Sequence, residues 1–323
     1  MRDTPHEDVV RLTPVELYER RFTELVRIFI KDEPHKLAKV EAGRWRLIMS
    51  VSLSYSIAQA VLYQDSIDED VRRNSSIPSK PGWVSTDLGY VDLYMWVRRF
   101  VRPPMSMDVA AWDWSVPYCL MALEAECYIA CNKASPSWAN MIRNETFCTA
   151  SSVISSSQGD LFVFHKPGIV KSGGRRTAQA NSRSRDLLSF LTDRKVNPNS
   201  TDHWSMTMGD DCVEESLSMD PNVVKAAYLE YGFNLKDIVY GYPFEFCSMR
   251  FVAPHVAIPL NWPRSVFRLI NKDYEFDDME AFMYEMRHLK HSSCTVKLRD
   301  LVLLLRQIGW LPSADLGWYL SRC

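Results

Sequence analysis

Residues 205–215 read SMTMGDDCVEE, with two adjacent aspartates, Asp210 and Asp211, directly behind a glycine and between two short runs of alternating apolar residues. Met206 and Met208 ahead of the pair and Cys212 behind it have the period of two strands facing one way, with Gly209 and both carboxylates filling the tight turn. The predicted unit is a β-hairpin with two acids at its tip. Like charges so close repel, which costs stability unless something positive sits beside them. An ordinary Gly-Asp turn would use the same residue types for conformational reasons alone. The rest of the chain has to decide between a plain turn and a charged site.

Composition limits the field. The 323 residues are 46% hydrophobic and 24% charged, enough apolar material to bury a large core in one large or two to three smaller lobes. A disordered or fibrous chain is excluded. The opening MRDTPHEDVVR places acids where a signal peptide needs an apolar stretch, and no run approaches the ~18 apolar residues of a membrane-spanning helix, so a soluble intracellular protein is expected. The eight cysteines include no CxxC pair, which fits reduced thiols better than a disulfide framework. Cys127 and Cys131 have the spacing of one helix face. His288, His291 and Cys294 form the one zinc-like spacing, without a fourth ligand nearby.

The net charge of −2 argues neither for nor against nucleic acid. Its distribution says more. Between Asp160 and Asp186 no acid occurs, while Lys166, Lys171, Arg175, Arg176, Arg183 and Arg185 all fall there, a local field that would attract phosphates unless it is simply a solvated face. A second basic stretch, Lys31 to Arg46, includes Lys36, Lys39 and Arg44.

No internal repeat or low-complexity tract interrupts the chain. Residues 13–29 are predicted helical and then extended, leading into KDEPHK, where Pro34 breaks regular structure. A long amphipathic stretch follows GRWRLIMS to about Tyr63, and the polar segment 64–83 reads as a surface loop or subdomain junction. Residues 106–115 are a predicted strand and turn, and 117–133 a helix. Residues 160–171 have the pattern of a hairpin, DLFVF and IVK about a Lys-Pro-Gly turn. A helix is expected over 175–191, and another over DPNVVKAAYLEYG, with proline just inside its start and Gly232 just past its end. From Val252 onward the chain is expected to be mostly helical, with LRDLVLLLRQIGWLP its clearest helix and Pro312 the stop. Strands and helices are mixed without a repeating βαβ pattern, so the fold class is α+β.

Partners for Asp210 lie about a hundred residues upstream in MDVAAWDWSV, where Asp108 follows a plausible strand and Asp113 comes five residues later. Asp108 could be a turn or cap residue. A divalent-metal site for phosphoryl transfer, however, needs carboxylates from separate elements converging on one point, with two hard cations ~3.5–4 Å apart. Asp108, Asp210 and Asp211 would supply them. Between them stands KSGGRRTAQANSR, in which Ser172-Gly173-Gly174 is a flexible loop and Thr177 and Asn181, at i and i+4, share a helix face. Such a face can present hydroxyl and amide groups to a ribose, or be an ordinary polar surface helix.

The order Asp108-x4-Asp113, then Ser172-Gly173-x3-Thr177-x3-Asn181, then Gly209-Asp210-Asp211, resembles motifs A, B and C of viral RNA-dependent RNA polymerases. KDEPHKLAKVEAGRWRLI is similar to their motif F and FEFCS (244–248) to motif E. The DWSV after motif A and the KDEPHK wording most resemble the sobemovirus, polerovirus and barnavirus-like group of positive-strand RNA viruses. The resemblance runs from about Lys31 to Ser248.

The resemblance implies a right-hand polymerase: fingers over 1–100, with a motif F hairpin at about 31–50, and over 132–171; palm over 101–131 and 172–250; a helical thumb over 251–323. It implies two Mg2+ ions (Mn2+ being an alternative) held by Asp108 and Asp210 with Asp211 in support. Asp113 and Asn181, helped by Ser172, Gly173 and Thr177, would read the ribose 2′-hydroxyl. Lys39 and Arg46, with Lys31 and Arg44, would contact the triphosphate. Lys236, in the motif D-like YGFNLKD, would be a general acid to the leaving pyrophosphate, and Cys247, Ser248, Arg175 and Arg176 would touch RNA or primer. The implied partners are template and product RNA, NTPs, a viral genome-linked protein and other polyprotein products, in the host cytoplasm at replication complexes. Motif F begins closer to Met1 than in relatives and no motif G is found, so either a compact enzyme or a piece of a larger polyprotein is expected. Two rivals are less well matched. A reverse transcriptase usually carries a bulky ribose-facing residue and an aromatic-x-Asp-Asp turn, and a non-enzymatic RNA-binding scaffold has no need of all three acids.

Overall fold

The computed structural model describes residues 1–35, 37–291 and 296–323. The chain begins with two short helices, α1 (His6–Val9) and α2 (Pro14–Glu19), the second started by a capping box in which Thr13 and Glu16 satisfy each other's backbone nitrogens. Strand β1 (Val26–Ile30) then pairs antiparallel with β2 (Leu47–Ser50), and their connection carries the short helix α3 (Leu37–Glu41). The hairpin expected at 31–50 is thus displaced: its strands are 26–30 and 47–50, and 31–46 is the connection.

Helix α4 (Leu53–Arg72) continues nine residues beyond Tyr63, through most of the segment read as a loop. The sequence there is polar because its partners are polar: Asp70 is buried against Arg183. Helix α5 (Asp87–Val97) follows, then β3 (Pro104–Val109) and the single turn α6 (Trp112–Ser115), entered through a left-handed Ala111 with φ 53°. Helices α7 (Tyr118–Cys131) and α8 (Pro136–Ala150) lead to β4 (Ile154–Ser155) and β5 (Leu161–Phe162). Strand β5 pairs with β4, not with residues 169–171, so the hairpin expected over 160–171 does not form. Gly168 instead bridges to Pro117, a long-range partner that local pattern cannot name.

Helix α9 (Thr177–Val196) precedes β6 (Ser205–Met208) and β7 (Asp211–Glu215), the hairpin expected at 205–215. Helix α10 (Pro221–Glu230) has the expected proline start and Gly232 end. After it come β8 (Leu235–Tyr240), β9 (Phe244–Phe246), β10 (Met249–Ala253) and β11 (Val256–Pro259). The chain past Val252 therefore first completes a three-stranded sheet, and only then turns helical, with α11 (Trp262–Ile270), α12 (Phe276–Met286), α13 (Leu298–Gln307) and α14 (Leu316–Leu320). These helices share their own apolar cluster about Met279, Met286, Val302 and Leu305. The mixture of helices with mainly antiparallel sheets is the α+β class expected.

The central sheet has the order β6-β7-β3-β8, antiparallel throughout. One face packs Met105, Met107 and Val109 against Leu188 of α9 and Val224 and Tyr228 of α10. The other packs Met206 and Val213 against Tyr90, Leu93 and Trp96 of α5 and Phe244 and Phe251 of the three-stranded sheet. Residues directly opposite in a ladder share a face. Met206 lies opposite Val213 and Thr207 opposite Cys212, so Cys212 faces away from Met206, contrary to the expectation that both point one way. The two-residue turn Gly209-Asp210 sets this register by joining Met208 to Asp211.

Candidate active site

The turn that opened the reading is built as its sequence requires. Gly209 adopts φ 65°, a conformation costly for residues with a Cβ, and Asp211 is already the first residue of β7. Only Asp210 and Gly209 are the turn itself. On the neighbouring strand Met107 pairs with Cys212, which brings Asp108 alongside Asp211. Burial, then the charges of Asp210 and Asp108, push the Asp211 carboxyl up to about 7, while a hydrogen bond from the Cys247 thiol eases it. Burial, then the charges of Asp211 and Asp210, raise the Cys247 thiol well above its usual range. The repulsion inferred from sequence is therefore present, and three carboxylates contribute to it.

Asp113 completes the arrangement from the turn after β3. Burial raises its carboxyl, the Asp210 charge adds to that, and Arg46 and the Asn181 side chain ease it. Four residues from separate parts of the chain, Asp113, Asn181, Asp210 and Arg46, are thus neighbours. Asn181 stands one turn into α9, where Thr177 is the first helical residue. Gly209 donates its backbone N–H to the Ser182 hydroxyl at 2.8 Å, fastening the helix to the turn.

Other expected residues have different company. The Ser172 hydroxyl accepts from the Met49 backbone nitrogen at 3.0 Å, and the Thr177 hydroxyl is held by the carbonyls of Lys171 and Gly174 at 2.9 and 2.7 Å. Both lock the loop 171–177 onto itself and onto β2 instead of presenting free hydroxyls. Gly173 sits so close to β2 that a Cβ would lie 2.7 Å from the Met49 carbonyl oxygen. Lys236 donates to Asp108 Oδ2 at 2.6 Å. Lys31 and Arg46 pair with Glu33, and Lys39 and Arg44 are exposed in the β1–β2 connection. Lys36 lies outside the described residues. Cys247 and Ser248 form the β9–β10 turn with φ 49° and 60°, an unusual conformation for non-glycine residues. Asn261 braces that turn by donating to the Ser248 hydroxyl.

The basic run 166–185 is not the exposed phosphate-attracting field its composition suggested. Lys171, Arg176 and Arg185 are buried. Arg176 pairs with Glu124 and stacks 4.2 Å over Tyr63, so it is a structural cation and not an RNA contact. Arg183 pairs with Asp70 and Glu124. Arg175 is the exposed member of the arginine pair, with its Nε on Gln64. Of the zinc-like spacing, His288 is tied to the Ala257 backbone, and Cys294 lies outside the described residues.

Sequence reasoning missed the polar support behind the sheet. The buried Arg185 donates to the Tyr228 hydroxyl at 2.9 Å, and Tyr228 to Glu214, which also takes the Ser189 hydroxyl. Ser205 donates to Asp186 in the same layer. The signal was present as a polar stripe at 182, 185, 189 and 192 on the inward face of α9, every member of which is buried.

Asp108, Asp210 and Asp211 offer only carboxylate oxygens and excess negative charge, the donor chemistry of a hard divalent cation such as Mg2+ or Mn2+. Among the described residues no three His, Cys, Asp or Glu side chains are gathered to hold an ion as they stand. A cation would have to take Asp108 from Lys236, and the crowded acids favour that exchange.

Asp108, Asp113, Asn181, Asp210 and Asp211 thus meet at one end of the central antiparallel sheet, and comparison with known proteins gives the family. The sequence profile described as viral RNA-dependent RNA polymerase matches residues 19–238. The chain belongs to that family. It is 31% identical over 314 residues to "Protein P1-P2" of Turnip yellows virus (isolate FL-1), covering 88% of this chain and 28% of that protein. It is 30% identical over 286 residues to "Replicase polyprotein P2AB" of Southern cowpea mosaic virus, covering 85% of this chain and 29% of the relative. The chain therefore spans less than a third of the length of these relatives. No helix among the described residues is long and apolar enough to cross a membrane.

Proposed function

We propose that the chain is an RNA-directed RNA polymerase that copies and transcribes a positive-strand viral RNA genome, joining NTPs to an RNA 3′-hydroxyl. The observation that carries this reading is the meeting of Asp113, Asn181, Arg46 and Asp210 beside Asp108 and Asp211. Two Mg2+ ions held by Asp108 and Asp210, with Asp211 in support, would supply charge neutralisation at the triphosphate and a more acidic 3′-hydroxyl. The chain's own groups do the rest. Asp113 and Asn181 accept and donate to the ribose 2′-hydroxyl, and this pair, braced by the locked loop 171–177, selects NTP over dNTP. Arg46, Lys31, Lys39 and Arg44 bind the triphosphate as guanidinium and ammonium donors. Lys236, once released from Asp108, is positioned to protonate the leaving pyrophosphate. The Cys247-Ser248 turn packs against Asp211 and steadies the primer end.

The right-hand division follows: fingers 1–100 and 132–171, palm 101–131 and 172–250, thumb 251–323. Within it the central sheet is the palm floor and the cluster α11–α14 the thumb. Template and product RNA, NTPs, a genome-linked protein and other polyprotein products are the partners, in the host cytoplasm at replication complexes. The test is incorporation of labelled NTPs on a primed homopolymer RNA with Mg2+ or Mn2+, beside Asp210→Ala. Synthesis lost in the variant supports the reading, and equal synthesis in both overturns it.

A further inference from the structure

One carboxylate, Glu33, is shared by four cations from two distant parts of the chain. Lys31 Nζ is 3.0 Å and Arg46 Nη1 2.7 Å from it, both within the β1–β2 connection. Arg264 and Arg268 reach it from α11 at 2.7 and 3.5 Å. The two arginines are four residues apart and so occupy one helix face. The Glu33 side chain is 3% exposed, whereas those of Arg46 and Arg268 are 54% and 53% exposed. Burial works against its charge, but the Lys31 hydrogen bond and the charges of Arg46 and Arg264 pull the carboxyl down to about 2. Glu33 is therefore an anion at any physiological pH.

The charges do not balance. Four cations face one carboxylate, so three positive charges are left to repel one another at close range, and Arg264 Nε is buried without a partner among the described residues. Such a cluster is completed by a further anion, and one carrying several charges on tetrahedral oxygens matches the forked guanidinium donors best. The cluster also borders the aspartate site, since Arg46 acts on the Asp113 carboxyl as well as on Glu33.

We propose that Glu33 is an internal stand-in for the nucleotide's phosphates: an arriving polyphosphate takes Lys31, Arg46, Arg264 and Arg268 over from it, which makes Arg264 and Arg268 of α11 substrate-binding residues. The inference rests on the nucleotide-polymerising reading above. It adds to the phosphate site two arginines that sequence reasoning left unassigned, and a carboxylate that competes with the substrate for all four cations. Binding of the phosphates would replace one bridging anion between α11 and the β1–β2 connection with another, so the same event reports to both.

Calorimetric titration of the full chain with inorganic tripolyphosphate, without RNA or divalent cation, tests this independently of synthesis. Wild type should bind, and Arg264→Ala with Arg268→Ala should weaken binding by roughly tenfold or more, the scale of losing charge-assisted contacts. Arg264→Lys should recover part of that loss, and Glu33→Gln should tighten binding several-fold by removing the competitor. In primed synthesis the double variant should raise KM for NTP with little change in kcat. A thermal melt verifies that each variant is folded. Absence of tripolyphosphate binding in wild type, unchanged affinity in the folded double variant, or weaker affinity in Glu33→Gln would each overturn the proposal. If tripolyphosphate binds as stated but no polymer forms, the polymerase reading fails and the anion site stands. If Asp210-dependent synthesis occurs while the arginine variants bind as wild type, the inference alone fails.

Discussion

The hydroxyl of Ser182 accepts the backbone N–H of Gly209 at 2.8 Å and donates to the Ala178 carbonyl at 2.7 Å, so helix α9 and the aspartate turn move as one body. Asn181 and Asp210, adjacent in sequence to this pair, inherit their separation from it. Ser182→Ala leaves the part-buried Gly209 N–H without this partner, a loss of about 1 kcal/mol. Stopped-flow incorporation by the folded variant should fall about tenfold or more, since small misplacements of reacting groups have effects of that size. A melting temperature lowered by a few degrees with unchanged incorporation would show the bond to be structural only.

Asp210→Ala and Asp108→Ala should each reduce incorporation at least about a hundredfold, the scale of losing charge stabilisation at a transferring phosphate. Affinity for RNA, which depends on contacts to the phosphate backbone, should remain close to wild type and weaken steeply with salt. Filter binding across a salt series beside an incorporation assay separates the two effects.

Asn181→Asp replaces the amide beside Asp113 with a second carboxylate, where burial and Asp210 already work against ionisation. The pair proposed to face the ribose then loses its donor. Discrimination between NTP and dNTP should drop by roughly tenfold while synthesis persists, because a missing hydrogen bond to a sugar hydroxyl acts on selectivity first. Competing NTP and dNTP in one reaction gives the ratio directly, and an unaltered ratio would remove Asn181 from sugar selection.

Gly173→Ala tests the close approach of the loop to β2. The added methyl would sit 2.7 Å from the Met49 carbonyl oxygen, a backbone atom that cannot rotate aside, so the loop must shift. A loss of about 1–3 kcal/mol of stability is expected, read by denaturant titration. The hydrogen bond from Gly173 N–H to that same carbonyl, 2.9 Å long, would be broken as well.

Glu33 predicts an acid-side change in stability. Its folded pKa, about 2, lies below the ordinary unfolded value of about 4.3, so the folded state binds fewer protons in that interval. Its stabilising contribution is complete above the unfolded pKa and is lost as pH falls from about 4.3 towards 2. The stability difference between wild type and Glu33→Gln should therefore be constant above about pH 5 and shrink below it. A difference that stays constant down to pH 3 would mean that the carboxylate is not held by its cations.

Much of the site was legible before any coordinates. Turn chemistry named Gly209 and Asp210, helical spacing put Thr177 and Asn181 on one face, and proline and glycine marked both ends of α10, because each of these depends on neighbours within a few residues. The ordered acids Asp108, Asp113, Asp210 and Asp211 carried the family. The same local logic failed where the deciding partner was remote. Residues 161–162 pair with 154–155 instead of folding back on 169–171, and the polar end of α4 is helical because Asp70 meets Arg183 more than a hundred residues on.

The sequence by itself determined which chemistry the chain carries: carboxylates at a glycine turn, an amide and a hydroxyl one helical turn apart, and basic residues in two runs. Only the tertiary structure decided which of those charges are free to act. Burial is set by packing between distant segments, so Arg176, Arg185 and Lys171 became interior cations, Cys212 turned away from Met206, and Arg46 was joined to Arg264 and Arg268 through Glu33. A charge run is a property of the chain, whereas a charged surface is a property of what lies beside it. Folding rewards pairing a cation with an acid out of water only when the partner arrives from elsewhere in the chain with the right geometry.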